Sequence, residues 1–144
     1  MTGIVITGHG HFPTGMLSAV ELVAGPQESM AAVDFESGQS TQDLKEHMTK
    51  AIDSMEGQEI LILADLTGGS PFNVAVALRA ERTDRQIKVM AGTNMAAVVE
   101  AVFSRMAVPF EDLAGNVKKA ALEGVVDVEE LENGEDSDEF SDGL

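Results

Sequence analysis

The amino-acid sequence predicts an α/β fold: an open, doubly wound, mainly parallel sheet with helices on both faces. Three observations predict it. Short β-branched apolar runs alternate four times with segments whose apolar residues fall at helical spacing. The third run, Ile60–Ala64, is apolar throughout, as expected of a strand covered on both faces. The joints between runs and helices carry Gly, Ser, Asn and Pro, residues that end strands and open helices.

Taken in order, Ile4–Thr7 is a short strand ending at Gly8. Met16, Leu17, Val20 and Val23 then mark a first helix, which Gly25-Pro26 ends. Ala31–Phe35 reads as the second strand. Ser40 and Asp43 form a capping-box pattern ahead of a helix with Leu44, Met48, Ile52 and Met55 on one face. After Ile60–Ala64, Ser70-Pro71 opens a third helix, with Ser70 as the expected N-cap and Pro71 at the first helical position. Ile87–Ala91 is the fourth strand, and Asn94 caps the helix carrying Val98, Val102 and Met106. A further helix is expected from about Phe110 to Leu122. Val125–Val128 reads as a last short strand. Residues 1–130 form one domain in this reading, and residues 131–144 an acidic tail expected to be disordered.

Composition narrows the function. The chain has 144 residues and is 44% hydrophobic, enough for one domain with a real core. It has no cysteine, which excludes a thiol nucleophile, disulfides and thiolate metal sites and suits a reducing cytoplasm. No signal peptide or membrane span is expected. The formal charge is −16, but nine of the 25 acids lie between Asp127 and Leu144, where there is no base. Nucleic acid is excluded as an expected partner because it needs a basic face. A basic protein surface fits the field better.

Two loops carry the chemistry, and both follow apolar strands: Gly8-His9-Gly10-His11-Phe12-Pro13 and Asp65-Leu66-Thr67-Gly68-Gly69-Ser70-Pro71-Phe72-Asn73. Open α/β sheets bind ligands beyond the carboxyl ends of their strands, where strand order reverses. In a flavodoxin-like order the first and third strands are neighbours, which sets His9 beside Asp65. A neutral imidazole attacks through one nitrogen while the other carries the proton. A carboxylate that accepts that N–H selects the tautomer and stabilises the charge the ring gains. Phosphoryl oxygens then need donors, and the helix opening at Ser70 supplies N–H groups, a positive dipole end and a hydroxyl. Gly68 and Gly69 allow close backbone approach. Phosphoryl transfer asks for little beyond such positioning and charge stabilisation.

On spacing alone each part also has an ordinary reading. His9 can be a solvated loop residue, Asp65 a turn residue at a strand end, and Gly-Gly-Ser-Pro a plain helix start. His11 reads as a rim or solvated residue, and His47 as surface. Phe12 and Leu66 read either as core or as an apolar docking rim. A His-x-His metal site of the barrel-hydrolase kind needs about 250 residues of barrel. A dinucleotide fingerprint lacks its third glycine, where Pro13 stands. A receiver domain needs acids after the first strand, where this chain has histidines. No metal and no cofactor is expected.

The segments Ile4-Val-Ile-Thr-Gly-His9-Gly, Ile62-Leu-Ala-Asp65-Leu-Thr-Gly-Gly-Ser-Pro-Phe-Asn73 and Ala91-Gly-Thr-Asn94 resemble the enzyme IIA component, mannose family, of the bacterial phosphoenolpyruvate-dependent sugar phosphotransferase system. The resemblance runs from Met1 to about Glu130. It implies strand order 2-1-3-4 with a short antiparallel fifth edge strand, exchanged in a homodimer. It implies that His9 takes a phosphoryl group on Nε2 from the histidine-containing phosphocarrier protein and passes it to an enzyme IIB component, here expected on a separate chain. Asp65 then faces Nδ1, and Ser70 lies near the phosphoryl group. The expected location is cytoplasmic, at most peripheral to a membrane transporter. The alternative is the phosphoryl-carrying subunit of a dihydroxyacetone kinase system, which the Gly-Gly-Ser-Pro-Phe-Asn run disfavours.

Overall fold

The computed structural model describes residues 1–134. The elements are β1 (Gly3–His9), α1 (Phe12–Ala24), β2 (Met30–Phe35), α2 (Thr41–Asp53), β3 (Glu59–Ala64), α3 (Ser70–Glu81), β4 (Gln86–Met90), α4 (Met95–Ser104), α5 (Phe110–Glu123) and α6 (Val128–Asn133). The four strands form one parallel sheet of order β2-β1-β3-β4. The predicted fold class and order therefore hold.

The sheet is covered on both faces, and the apolar runs show why. Alternate residues of a strand point to opposite faces. Ile4, Ile6, Leu61 and Leu63 pack with Val20, Val98, Val102, Phe110, Leu113 and Val117 beneath α1, α4 and α5. Val5, Ile60 and Ile62 pack with Leu44, Met48, Ile52, Val74 and Leu78 beneath α2 and α3. Ile60, Leu61 and Ile62 have no exposed surface. Each such side chain contributes about 1.5–3 kcal/mol of burial. The central pair β1 and β3 is thereby the most strongly held part of the sheet, and the site grows from its carboxyl end.

Local signals match the helix starts well. Ser40 caps α2 reciprocally: its hydroxyl accepts from Asp43 N–H at 3.0 Å, and Asp43 accepts from Ser40 N–H at 3.0 Å. The Asn94 side chain accepts from Ala97 N–H at 2.9 Å and caps α4. At α3 the cap is Gly69 instead of the expected Ser70, which moves Ser70 to the first helical position and Pro71 to the second. The extended backbone at Gly69 already serves as the cap, so the Ser70 hydroxyl is not consumed there.

The expected strand at Val125–Val128 does not form within the single chain. Residues 125–127 pair with no strand, and Val128 opens α6. The reason is local: the Asp127 side chain accepts from Glu129 N–H at 2.9 Å, and Glu129 and Glu130 sit in the first turn, where the helix dipole favours acids. Helix α6 crosses residue 130, so residues 131–133 of the expected tail are helical, and the rest of the tail from residue 135 lies outside the described residues. At the end of the sheet away from the site, buried Arg105 donates to the carbonyls of Thr2, Glu28 and Ser29 and to Gln27 Oε1, at 2.8–3.1 Å. It ties the starts of β1 and β2 to the end of α4.

Candidate functional site

Strand register builds the site. In the parallel pairing Thr7 lies opposite Ala64, and His9 lies opposite Phe35. The pairing continues one step further, because Asp65 N–H donates to the Thr7 carbonyl at 3.1 Å. The first residue past β3 is thereby carried to the side of the last residue of β1.

Asp65 Oδ2 accepts from His9 N–H at 2.9 Å and lies 2.8 Å from His9 Nδ1. Asp65 Oδ1 accepts from Leu66 N–H at 2.8 Å. Three N–H groups thus converge on one carboxylate when the ring carries its proton on Nδ1. Partial burial alone would raise the Asp65 carboxyl. The hydrogen bonds from His9 and Leu66 outweigh it and hold the group below its ordinary value. Asp65 is therefore an anion at neutral pH, and it selects the His9 tautomer that leaves Nε2 with a lone pair.

Two glycines are required by contact. A Cβ at residue 8 would lie 2.8 Å from Asp65 Cγ and 2.9 Å from the Phe12 ring. A Cβ at residue 69 would lie 2.8 Å from His9 Cε1 and 3.3 Å from Nε2. Only a hydrogen fits at either place. The second contact also shows that α3 begins beside the nitrogen Asp65 leaves free. The first N–H groups of a helix have no partner within it, so donors and a positive dipole end lie in the neighbourhood of that nitrogen. Gly68 adopts φ 82°, a left-handed conformation suited to glycine. Half-buried Ser70, with its hydroxyl unused by the cap, opens the same turn. Of the expected group, His9, Asp65 and Gly69 meet, and Gly68 and Ser70 flank Gly69 in the chain.

The two rim residues separate. The Leu66 side chain stands out on the surface at 60% exposure. Phe12 is partly buried and packs against the core under α1. The His9 side chain is 47% exposed, open enough for another protein to reach.

Sequence reasoning gave no role to four neighbours. Asn73 donates through Nδ2 to the Gly68 carbonyl at 3.2 Å and pins the loop that leads into α3. Asparagine is a poor helix former, and its presence in the first turn was the available signal. Phe35 meets the His9 ring edge-on, with centroids 6.2 Å apart. The other two are Asp34 and Glu36. The His11 Nδ1 lies 3.0 Å from Asp34 Oδ2, and His11 Nε2 lies 3.2 Å from Glu36 Oε1. Asp34 also accepts from Thr14 N–H at 3.0 Å and from the Thr14 hydroxyl at 2.8 Å. His11 is therefore held between two carboxylates, not merely solvated. These three groups lie close enough to face one cation, within 4.8 Å of one another. The imidazole already meets both acids, and the ion pairs account for the arrangement.

The hydrogen bonds to Asp65 have a direct stability consequence. Asp65→Asn removes an ionic acceptor shared by three N–H groups, and should cost about 1–3 kcal/mol in urea unfolding at neutral pH. Because the folded-state carboxyl is held below its ordinary value, its contribution is complete above that value. It is lost as pH falls through the lowered one. The gap between the two proteins should therefore shrink as pH falls through and below the ordinary carboxylate range.

Known proteins resemble the chain as a whole. The family model described as "PTS system fructose IIA component", where PTS denotes the phosphotransferase system, matches residues 3–118. A fructose-specific EIIA component of Bacillus subtilis is 33% identical over 119 residues, covering 82% of this chain and 80% of that protein. The mannose-specific EIIAB component of Escherichia coli is 31% identical over 124 residues, and the match covers 85% of this chain but 38% of that longer protein. The crystal structure of an EIIA component from Streptococcus agalactiae superposes with a TM-score of 0.84 at 42% identity, covering 90% of this chain and 98% of that one. The chain belongs to the fructose and mannose family of enzyme IIA components of the sugar phosphotransferase system.

Proposed function

We propose that His9 Nε2 carries the phosphoryl group, accepting it from the histidine-containing phosphocarrier protein and passing it to an enzyme IIB component during sugar uptake. The observation that carries this reading is the split environment of one ring. Asp65 lies 2.8 Å from Nδ1, and the start of α3 lies beside Nε2.

The transfer follows from that geometry. The Nε2 lone pair attacks phosphorus, and the P–N bond to the donor ring breaks with its electron pair leaving on the donor. The His9 ring gains positive charge while Nδ1–H stays hydrogen bonded to the Asp65 carboxylate. The N–H groups at the start of α3 and the Ser70 hydroxyl stabilise the phosphoryl oxygens. Passage to the IIB component reverses the attack at Nε2, and the same carboxylate serves both directions. The exposed ring suits hand-off between proteins, and exposed Leu66 offers an apolar contact next to it. No described helix is long and apolar enough to cross a membrane. A cytoplasmic location, peripheral to the transporter, fits this role.

The phosphocarrier domain in this reading is residues 1–130. It works as a homodimer in which residues 125–128 of one subunit cover the open edge of β4 in the other. Val125 is 78% exposed and Val128 59% exposed in the single chain, and among the described residues β4 ends the sheet with one side unpaired. An uncovered edge invites pairing.

Two experiments test these readings. With phosphoenolpyruvate, enzyme I and the phosphocarrier protein, His9→Gln should take up no acid-labile phosphate, and His11→Gln should keep substantial uptake. Asp65→Asn should slow transfer about a hundredfold or more, the scale of an orienting carboxylate. Uptake by His9→Gln with a dead His11→Gln would reverse the assignment. For the dimer, the mass in solution of chains ending at Glu132 and at Leu122 is decisive. The first should be a dimer, and the second a monomer or aggregate. A stable dimer lacking residues 125–128 would refute the exchange.

A further inference from the structure

Two histidines stand on the same loop, and their surroundings are alike up to a point. Each presents Nδ1 to an aspartate just beyond or within the end of a neighbouring strand: Asp65 after β3 for His9, Asp34 in β2 for His11. Both rings are open to solvent, with the His11 side chain 73% exposed. Orientation by a carboxylate and access to solvent therefore do not explain why only one should accept a phosphoryl group.

The difference lies at Nε2. For His9 that nitrogen faces a glycine and the start of a helix. For His11 it faces a second carboxylate, Glu36, at 3.2 Å. We propose that Glu36 is a specificity-determining residue: by giving His11 a second anionic partner it holds that ring as a cation, with no lone pair for phosphorus, and leaves His9 as the sole nucleophile of the loop. The proposal rests on the reading of His9 as acceptor.

The chemistry is simple. A neutral imidazole has one N–H and one lone pair. Set between two carboxylates, it can satisfy both only as the imidazolium, which donates from each nitrogen. The hydrogen bond to Asp34, the charge of Glu36 and the charge of Asp34 all act in this direction, and on so exposed a ring the opposing effect of burial is smaller than any of them. Asp34 cannot turn away, because the Thr14 N–H and hydroxyl hold it. No other charged group shifts His11 among the described residues. Glu36 also places negative charge where phosphoryl oxygens would have to sit, which opposes transfer even to a ring that has lost its proton.

Phosphoramidate tests this without any docking partner. The lone pair of a neutral ring nitrogen attacks phosphorus, the P–N bond of phosphoramidate breaks, and ammonia leaves with the electron pair. The whole chain is labelled briefly at neutral pH, and phosphate on each histidine is counted by fragmenting the peptides between Gly8 and Phe12, which separates His9 from His11. His47, exposed on α2, is the internal reference. In the wild type, His11 should be labelled several-fold less than His47. Glu36→Gln keeps the size of the side chain, removes the charge and alters a residue outside the core, with 49% of its side chain exposed. It should raise the His11 to His47 ratio several-fold, since each pKa unit changes the neutral fraction about tenfold. Glu36→Asp should stay near the wild type. In the wild type the ratio should also rise with pH, because a raised pKa keeps the cation to higher pH. A ratio unchanged by Glu36→Gln, or a wild-type His11 as reactive as His47, would overturn the proposal. Uptake by His9 from the phosphocarrier protein is a separate assay, so either reading can fail alone.

Discussion

The structure of the site depends on one hydrogen-bonded group, the Asp65 carboxylate with the His9 main chain and ring. It is a single group meeting N–H donors from two directions, and each bond assists the others. The backbone bond from His9 brings the end of β1 to the carboxylate. The bond from Leu66 N–H holds the carboxylate against its own loop. With both in place, Oδ2 has one direction left for the imidazole, 2.8 Å away. Ring orientation, tautomer and the exposure of Nε2 all follow. Removing the charge would leave the loop residues in place but without a reason to choose one nitrogen over the other.

That contact is possible only because of sheet topology. Residues 56 positions apart in sequence meet because β1 and β3 are neighbours in a parallel sheet. Their carboxyl ends then open side by side, while the helices that follow them diverge to opposite faces: α1 packs with α4 and α5, and α3 with α2. The crevice between the starts of α1 and α3 holds Gly8 and Gly69, where a side chain would meet Asp65 and the His9 ring. The buried apolar faces of β1 and β3 supply the rigidity, and the loops supply the chemistry.

Much of this was legible in the sequence, for physical reasons. Ile60–Ala64 is apolar at every position because both faces of β3 are covered, and that is readable without coordinates. Ser40 with Asp43 and Asn94 announce helix starts because their side chains bond within three residues. His9 and Asp65 were legible as a pair through their chemistry and their places after apolar runs. Other features depend on distances that no local pattern encodes. The engagement of His11 by Asp34 and Glu36 requires the register of β1 against β2. The cap at Gly69 is decided by backbone angles, which Ser70-Pro71 alone does not specify. The segment after Gly124 is β-branched in Val125, Val126 and Val128 but rich in helix-favouring acids beyond them, and the Asp127 cap tips the single chain toward a helix.

The central claim is that Asp65 directs the His9 ring so that Nε2 alone is offered to phosphorus. Nitrogen-15 spectra of the ring, recorded before and after phosphoryl uptake, test it most directly. The expected result is the Nδ1–H tautomer in the resting protein and phosphorus coupling at Nε2 afterwards. A resting ring protonated on Nε2 alone, or phosphorus attached to Nδ1, would contradict it.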